Sequence, residues 1–206
     1  MQNNKNSILI KTIGITSVIL IVIICGLYFW NLYNNCYKAV LKVGNHDISE
    51  CEYTYYYNSY YKYYMNSFSP LFDYMGVDSS LDLMTQQYDD ERSFEQMFKD
   101  STIDQIKEIY SLYDDALAGG FEYDSEEVYN GYVEAIEKTL VNTDNTLLDY
   151  YKTYFGENIS EKLAKKYLCM GYYSLAYYNK LVDDLGEEEA YKYKQELKNK
   201  MEVICY

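Results

Sequence analysis

The sequence predicts a mainly α-helical protein: one N-terminal transmembrane helix, then a multi-helix domain with one short β element. Three observations carry this. Ile13 to Trp30 is a run of 18 residues without a charge. From Ser49 onward, apolar residues recur at helical spacing in successive segments, bounded by capping residues and glycines. Val40, Leu41 and Val43 form the one run that reads as a strand, just before turn residues. The expected organisation is a cytoplasmic tail over 1–12, a membrane anchor over 13–33 and a helical domain over 37–206.

The anchor comes first. At 1.5 Å per residue, its uncharged run spans about 27 Å, close to the hydrocarbon core of a bilayer. Tyr28, Trp30 and Tyr33 sit where interfacial aromatics are expected. A cleaved signal peptide would have a shorter apolar run and small residues at its end, whereas Asn31-Leu32-Tyr33-Asn34-Asn35 follow here. Lipoprotein processing at Cys25 would need small residues before it, and Ile23 and Ile24 stand there. An uncleaved anchor is therefore favoured. Lys5 and Lys11 precede the span, which favours a cytoplasmic N-terminus and an extracytoplasmic domain, although Lys38 and Lys42 follow soon after.

After the anchor, Gly44-Asn45 and His46-Asp47 read as turn chemistry. Ser49 and Glu52 then form an S-x-x-E capping box that opens a helix to about Asn66. Tyr53, Tyr57, Tyr60 and Tyr64 lie on one stripe of it, while Tyr55, Tyr56, Tyr61 and Tyr63 cover other sides. Ser67–Asp90, with Pro70 and Gly76, reads as a long loop with a short helical turn. Ile103, Ile106, Tyr110, Tyr113 and Leu117 mark a second amphipathic helix, ended by Gly119-Gly120 with one of them as a left-handed cap. Ser125 with Glu126-Glu127 starts a third helix through about Val141, acidic where the helix dipole prefers it. Asp144 or Asn145 is expected to cap a short fourth helix that Gly156 closes. Ser160 opens a long fifth helix whose apolar stripe is Ala164, Leu168, Gly171, Leu175, Tyr178, Val182 and Leu185. After Gly186, Glu187 to Tyr206 reads as a last helix.

Charge and composition exclude several functions. Residues 1–36 carry Lys5 and Lys11 and no acid, and the other 170 residues carry 16 basic and 32 acidic side chains. So acidic a domain argues against nucleic acid as a partner, which demands Lys and Arg facing phosphates. One Arg (Arg92), one Pro (Pro70) and 29 tyrosines fit the bias of an AT-rich bacterial genome. The five cysteines, Cys25, Cys36, Cys51, Cys169 and Cys205, show no CxxC and no regular spacing; free or structural thiols are favoured over a disulfide framework.

No catalytic constellation is visible. With a single histidine, His46, there is no His pair and no zinc signature, and His46 reads as an exposed turn residue. No GxGxxG or P-loop surrounds the glycines. Asp89-Asp90, Asp114-Asp115 and Asp183-Asp184 are adjacent pairs, which do not share a helix face, and read as solvated acidic surface. Asn158-Ile159-Ser160 matches a glycosylation sequon, but Ser160 is better explained as a helix cap. No catalytic residue, metal or cofactor is expected. The aromatic surface remains: tyrosine binds varied apolar peptides at low entropic cost.

The order of these signals resembles a known family. The run V-x-K-V-G-x-x-x-I-S-x-x-E-Y-x-Y-Y-Y from Val40 to Tyr57 looks like the start of the N-terminal chaperone domain of SurA/PrsA-type extracytoplasmic foldases. Gly44-Asn45 stand where that family usually has Asn-Gly. Phe94–Gly120 is similar to the second family helix, Ser125-Glu126-Glu127 to the next helix start, and Leu148–Gly156 to the element before the long Tyr-rich helix. The likeness covers about Val40 to Tyr193. It implies a SurA N-terminal-like fold at the cell membrane of a Gram-positive bacterium, with the domain outside. In that family a parvulin-type prolyl isomerase domain with a histidine pair often follows. Here 21 residues follow Leu185 and those histidines are absent, so isomerase activity is not carried over. The expected function is a chaperone-like module binding unfolded or secreted polypeptides in an aromatic cleft, with Tyr56, Tyr60, Tyr63, Tyr172, Tyr173 and Tyr177 as binding residues. The alternative is an assembly partner of one specific envelope protein.

Overall fold

The computed structural model describes the backbone from Gln2 to Tyr206 and the side chains from Ser17 on. Helix α1 (Gln2–Leu32) ends in one turn of π-helix, Tyr33–Tyr37. Its segment Ser17–Tyr37 is long and apolar enough to cross a membrane, by length and composition. From Val18 to Trp30 every side chain is exposed rather than packed on the rest of the chain. The expected tail, residues 1–12, belongs to the same helix from Gln2, and its side chains lie outside the described part.

Strands β1 (Ala39–Val43) and β2 (His46–Ser49) form an antiparallel hairpin in which Val43 faces His46 across the turn Gly44-Asn45. Gly44 suits the turn chiefly through its backbone. Its φ is +57°, and a Cβ would lie 2.7 Å from Met201 Sδ. His46-Asp47 thus belong to a strand, not to the turn. The helices that follow are α2 (Glu50–Phe68), α3 (Phe72–Met75), α4 (Phe94–Ala118), α5 (Ser125–Leu140), α6 (Leu147–Phe155), α7 (Glu161–Leu185) and α8 (Glu187–Lys200). The last helix does not run to Tyr206: Val203–Cys205 form β3, antiparallel to β1, giving the sheet order β2-β1-β3. The reason is non-local. The hairpin leaves one edge of β1 with unpaired amides and carbonyls, and the β-branched Val203 and Ile204 satisfy them.

Local capping follows the sequence in part. Ser49 Oγ accepts from the Glu52 amide at 3.3 Å, but the Glu52 carboxylate does not return to cap Ser49 and instead takes the Tyr110 hydroxyl at 2.6 Å. The helix start is therefore half a capping box, because a buried tyrosine competes for the carboxylate. The complete box lies at α6, where Thr146 and Asp149 cap each other, not at Asp144 or Asn145. Gly120 supplies the left-handed residue after α4 with φ +68°, and Ser160 accepts from the Leu163 amide at the start of α7.

Helix α4 packs against α2, α7 and α8, and α7 also against α5. The main core joins the sheet (Leu41, Val43, Ile48) to α2 (Tyr55, Tyr56), α4 (Ile106, Tyr110), α6 (Tyr151, Phe155) and α7 (Ala164, Tyr167, Met170). A second cluster holds Tyr64 against Phe94, Met97 and Phe98, and a third joins Leu112, Leu181 and Ala190. One cysteine expectation is overturned. Cys36, in the π-helical turn, and Cys51, in the first turn of α2, form a disulfide, both of them buried. The hairpin folds back so that the two residues meet although their spacing carries no signature. Cys25, Cys169 and Cys205 are free.

Candidate functional site

The apolar stripe of α7 faces the core only in part: Ala164 is buried, Leu168 packs on the main cluster and Tyr178 and Val182 on the third, while Leu175 and Leu185 are exposed. The buried residues of that helix are Ala164, Tyr167, Met170, Ser174 and Leu181, a face rotated by about one residue from the expected stripe. Tyrosine, methionine and serine fill positions that a reading by leucine leaves polar. In consequence Leu168 and Gly171 are only half-buried, and Leu175 is 56% exposed. A helix that shows apolar residues to solvent beside its core face leaves a surface for something else to cover.

That surface is the wall of a furrow between α2, α4 and α7. Its middle is a hollow of about 270 Å³ lined by Tyr56 and Ser59 of α2, Gln105 and Ile109 of α4, and Leu168, Gly171, Tyr172 and Leu175 of α7. Gln105 also lines a second hollow of about 400 Å³, with Tyr60, Tyr63, Ser101, Asp104 and Glu108. Tyr172 and Leu175 also line a third, of about 470 Å³, with Phe121, Tyr123, Val128, Ala176, Asn179, Lys180 and Asp183. Gln105 lies between the first two hollows and Tyr172 and Leu175 between the first and the third, which is walled by α7, Val128 of α5 and the segment before it; each hollow has room for a side chain.

The six tyrosines expected at a binding site divide on this geometry. Tyr60, Tyr63 and Tyr172 line the furrow. Tyr63 is 63% exposed, while Tyr60 lies half-buried with its ring 6.0 Å from that of Phe98. Tyr56 also lines it, but at 2% exposure it is core rather than the surface residue that was expected, because Tyr55 and Tyr167 pack around it. Tyr173 and Tyr177 do not line the furrow. The Tyr173 hydroxyl donates to the Phe121 carbonyl, and the Tyr177 hydroxyl to Asp115 at 2.7 Å. Both rings stand against that of Phe121, 5.4 and 5.3 Å away, so they buttress a wall residue of the third hollow. Gln105, Phe121, Gly171 and Leu175 complete the furrow. Of these, Leu175 and Gly171 were visible in the sequence as members of the α7 stripe.

Most charged side chains that line the furrow, Asp183 excepted, are ion-paired despite the acidic domain. Asp104 pairs with Lys198 at 2.9 Å and Glu108 with Lys194 at 3.0 Å; Lys180 pairs with Asp184. Burial, reinforced by the neighbouring Glu52 carboxylate, pushes the Tyr56 phenol well above its ordinary pKa, and burial raises Tyr172 too. Both are neutral hydroxyls at physiological pH.

His46 is not an exposed turn residue. Its Nε2 meets Asp114 at 2.9 Å, its ring lies tilted 4.3 Å from that of Tyr110, and the Tyr110 hydroxyl donates to buried Glu52. Asp114-Asp115 is correspondingly not a solvated pair, since Asp115 accepts from Tyr177 and Tyr193. The His46 chain pins the hairpin and α2 onto α4. Among the described residues, no group of three His, Cys, Asp or Glu side chains is arranged to hold a metal ion.

No protein-family model, curated protein or solved structure matches the chain.

Proposed function

We propose that this chain is a membrane-anchored, extracytoplasmic, SurA N-terminal-like module that holds unfolded or secreted polypeptide in the furrow between α2, α4 and α7, with no isomerase chemistry of its own. The observation that carries the reading is the furrow itself. Three neighbouring hollows are walled by Tyr60, Tyr63, Tyr172, Phe121 and the exposed Leu175 of α7. A row of hollows suits an extended chain, and apolar burial at about 25 cal/mol per Å² gives weak binding to many sequences. The exposed apolar helix α1 supports the anchor, and a disulfide beside it fits an oxidising compartment.

The test uses the full chain in lipid nanodiscs. It should suppress aggregation of several unrelated proteins diluted from denaturant. Leu175→Asp, at an exposed position, should abolish that protection while leaving the unfolding midpoint unchanged. Protection of none of them, with one envelope protein co-purifying stoichiometrically, would replace this reading by that of a dedicated assembly partner.

A further inference from the structure

One charged wall residue of the furrow stands without a counter-ion. Asp183 of α7 is exposed and lines the third hollow, and among the described residues it makes no ion pair and no hydrogen bond. Lys180, the cation in the same hollow, is engaged by Asp184. The α7 wall is graded along the helix. Tyr172, Leu175, Ala176, Asn179 and Asp183 recur at helical spacing, so the wall runs from aromatic through apolar to amide and carboxylate. At 1.5 Å per residue, Leu175 and Asp183 lie about 12 Å apart along the axis. The segment before α5 contributes Phe121 and Tyr123, whose rings lie parallel, 6.3 Å apart. Tyr173 and Tyr177 hold Phe121 in place, so this wall is formed before anything binds.

We infer that the third hollow is a subsite for a cationic side chain, arginine or lysine, of the polypeptide held in the furrow. The inference rests on the furrow being the polypeptide site and adds which sequences it prefers. A long basic side chain is itself graded, with an apolar stem and a charged tip. The stem lies along Leu175 and Ala176. The tip reaches the Asp183 carboxylate and the Asn179 side-chain oxygen, beside aromatic rings whose faces attract a cation. An apolar occupant of the same length would cover the carboxylate without pairing it, which costs free energy. The charge of the whole domain acts in the same direction. Residues 37–206 carry 32 acidic and 16 basic side chains, an excess that draws cationic segments in and repels acidic ones.

The test measures binding to the full chain in nanodiscs by fluorescence anisotropy. One probe is a labelled, unstructured peptide of Leu, Tyr, Ser and Gly with a single central Arg. The other carries citrulline at that position, which keeps the shape and loses the charge. The Arg peptide should bind the unaltered chain about fivefold more tightly, the scale of an exposed ion pair with a cation–π contact. Asp183→Asn should remove that preference while leaving the citrulline peptide's affinity and the unfolding midpoint where they were. Asp73→Asn takes the same charge from α3, outside the furrow, and should leave the preference intact. Equal binding of the two peptides to the unaltered chain would overturn the subsite and leave the furrow standing. An equal loss of preference in Asp73→Asn and Asp183→Asn would overturn it too, by assigning the preference to net charge. Binding of neither peptide to the unaltered chain would remove both the subsite and the furrow reading.

Discussion

Glu50–Asn58 and Ser59–Phe68, the two halves of α2, carry four tyrosines each. In the first half Tyr55 and Tyr56 are buried, together with Cys51 and Glu52; in the second, Tyr64 alone is buried and Tyr63 stands in solvent. Helical spacing is the same in both, so periodicity does not explain the difference; the neighbours do. Around the first half stand the sheet, α4, α6 and α7, and Cys51 ties it to the turn after α1. The second half meets the start of α4 on one side, through Tyr64, Phe94 and Phe98, and the 67–90 segment through Phe72 and Tyr88. Tyrosine adapts to either setting because its ring is apolar and its tip is not.

The sharpest way to break this comparison is to truncate one tyrosine in each half. Tyr55 packs its ring 4.6 Å from Phe155 and 5.2 Å from Tyr167. Tyr55→Ala should cost about 4 kcal/mol of stability, the scale of an aromatic deleted from a core. Tyr63→Ala should change stability by less than about 0.5 kcal/mol, as for other exposed positions, and weaken polypeptide binding instead. Urea unfolding of both variants checks this; equal losses would mean that the two halves are packed alike.

A smaller effect is expected from the disulfide. Cys36 and Cys51 close a loop with a sequence separation of 15. In the chain-entropy account a loop of that size contributes about 3 kcal/mol. Replacing both by serine should therefore lower the unfolding free energy by about 3 kcal/mol and loosen the anchored half first. Hydrogen exchange should show the amides of Cys51–Tyr56 losing protection while those around Tyr64 keep theirs. If protection fell evenly along α2, the bond would not be what distinguishes the halves.

What was legible in the sequence divides along the same line, between local and non-local causes. Ser49 and Ser160 could be read as helix starts because a cap is a contact across three residues, and Gly119-Gly120 as the pair that holds a left-handed residue, Gly120 in the event, because that needs no distant partner. β3 could not be read, because what makes Val203–Cys205 a strand is an open edge more than 150 residues earlier. The same holds for the disulfide and for the Glu52–Tyr110 bond that undoes half of the capping box. The furrow was half legible. Tyr60, Tyr63 and Tyr172 were expected to meet a ligand and do line it, whereas Tyr173 and Tyr177 spend their hydroxyls on Phe121 and Asp115. The α7 stripe was seen, but its direction depends on which face of the helix α4 covers, and that is set by packing.

The smallest of the expected effects concerns Glu52, the one buried charged residue among the described side chains, which lies in the anchored half. Burial pushes its carboxyl above the ordinary value of 4.5, and the Tyr110 hydroxyl, Lys166 and His46 offset this only in part. In the unfolded chain the carboxyl ionises near that ordinary value; in the folded chain it holds its proton to higher pH. Folding therefore takes up a proton in between. Stability from this group is fully present below the unfolded pKa and is lost as pH rises through the folded one. Glu52→Gln keeps an acceptor for Tyr110 and removes the titration. Its stability relative to the unaltered chain should be near zero at pH 4 and grow in its favour toward pH 8, reaching on the order of 1 kcal/mol. Taking the difference cancels the many exposed acids, whose contributions the two chains share. Parallel stability–pH curves would show that Glu52 ionises alike in both states, and the anchored half would then differ from the distal half in packing alone.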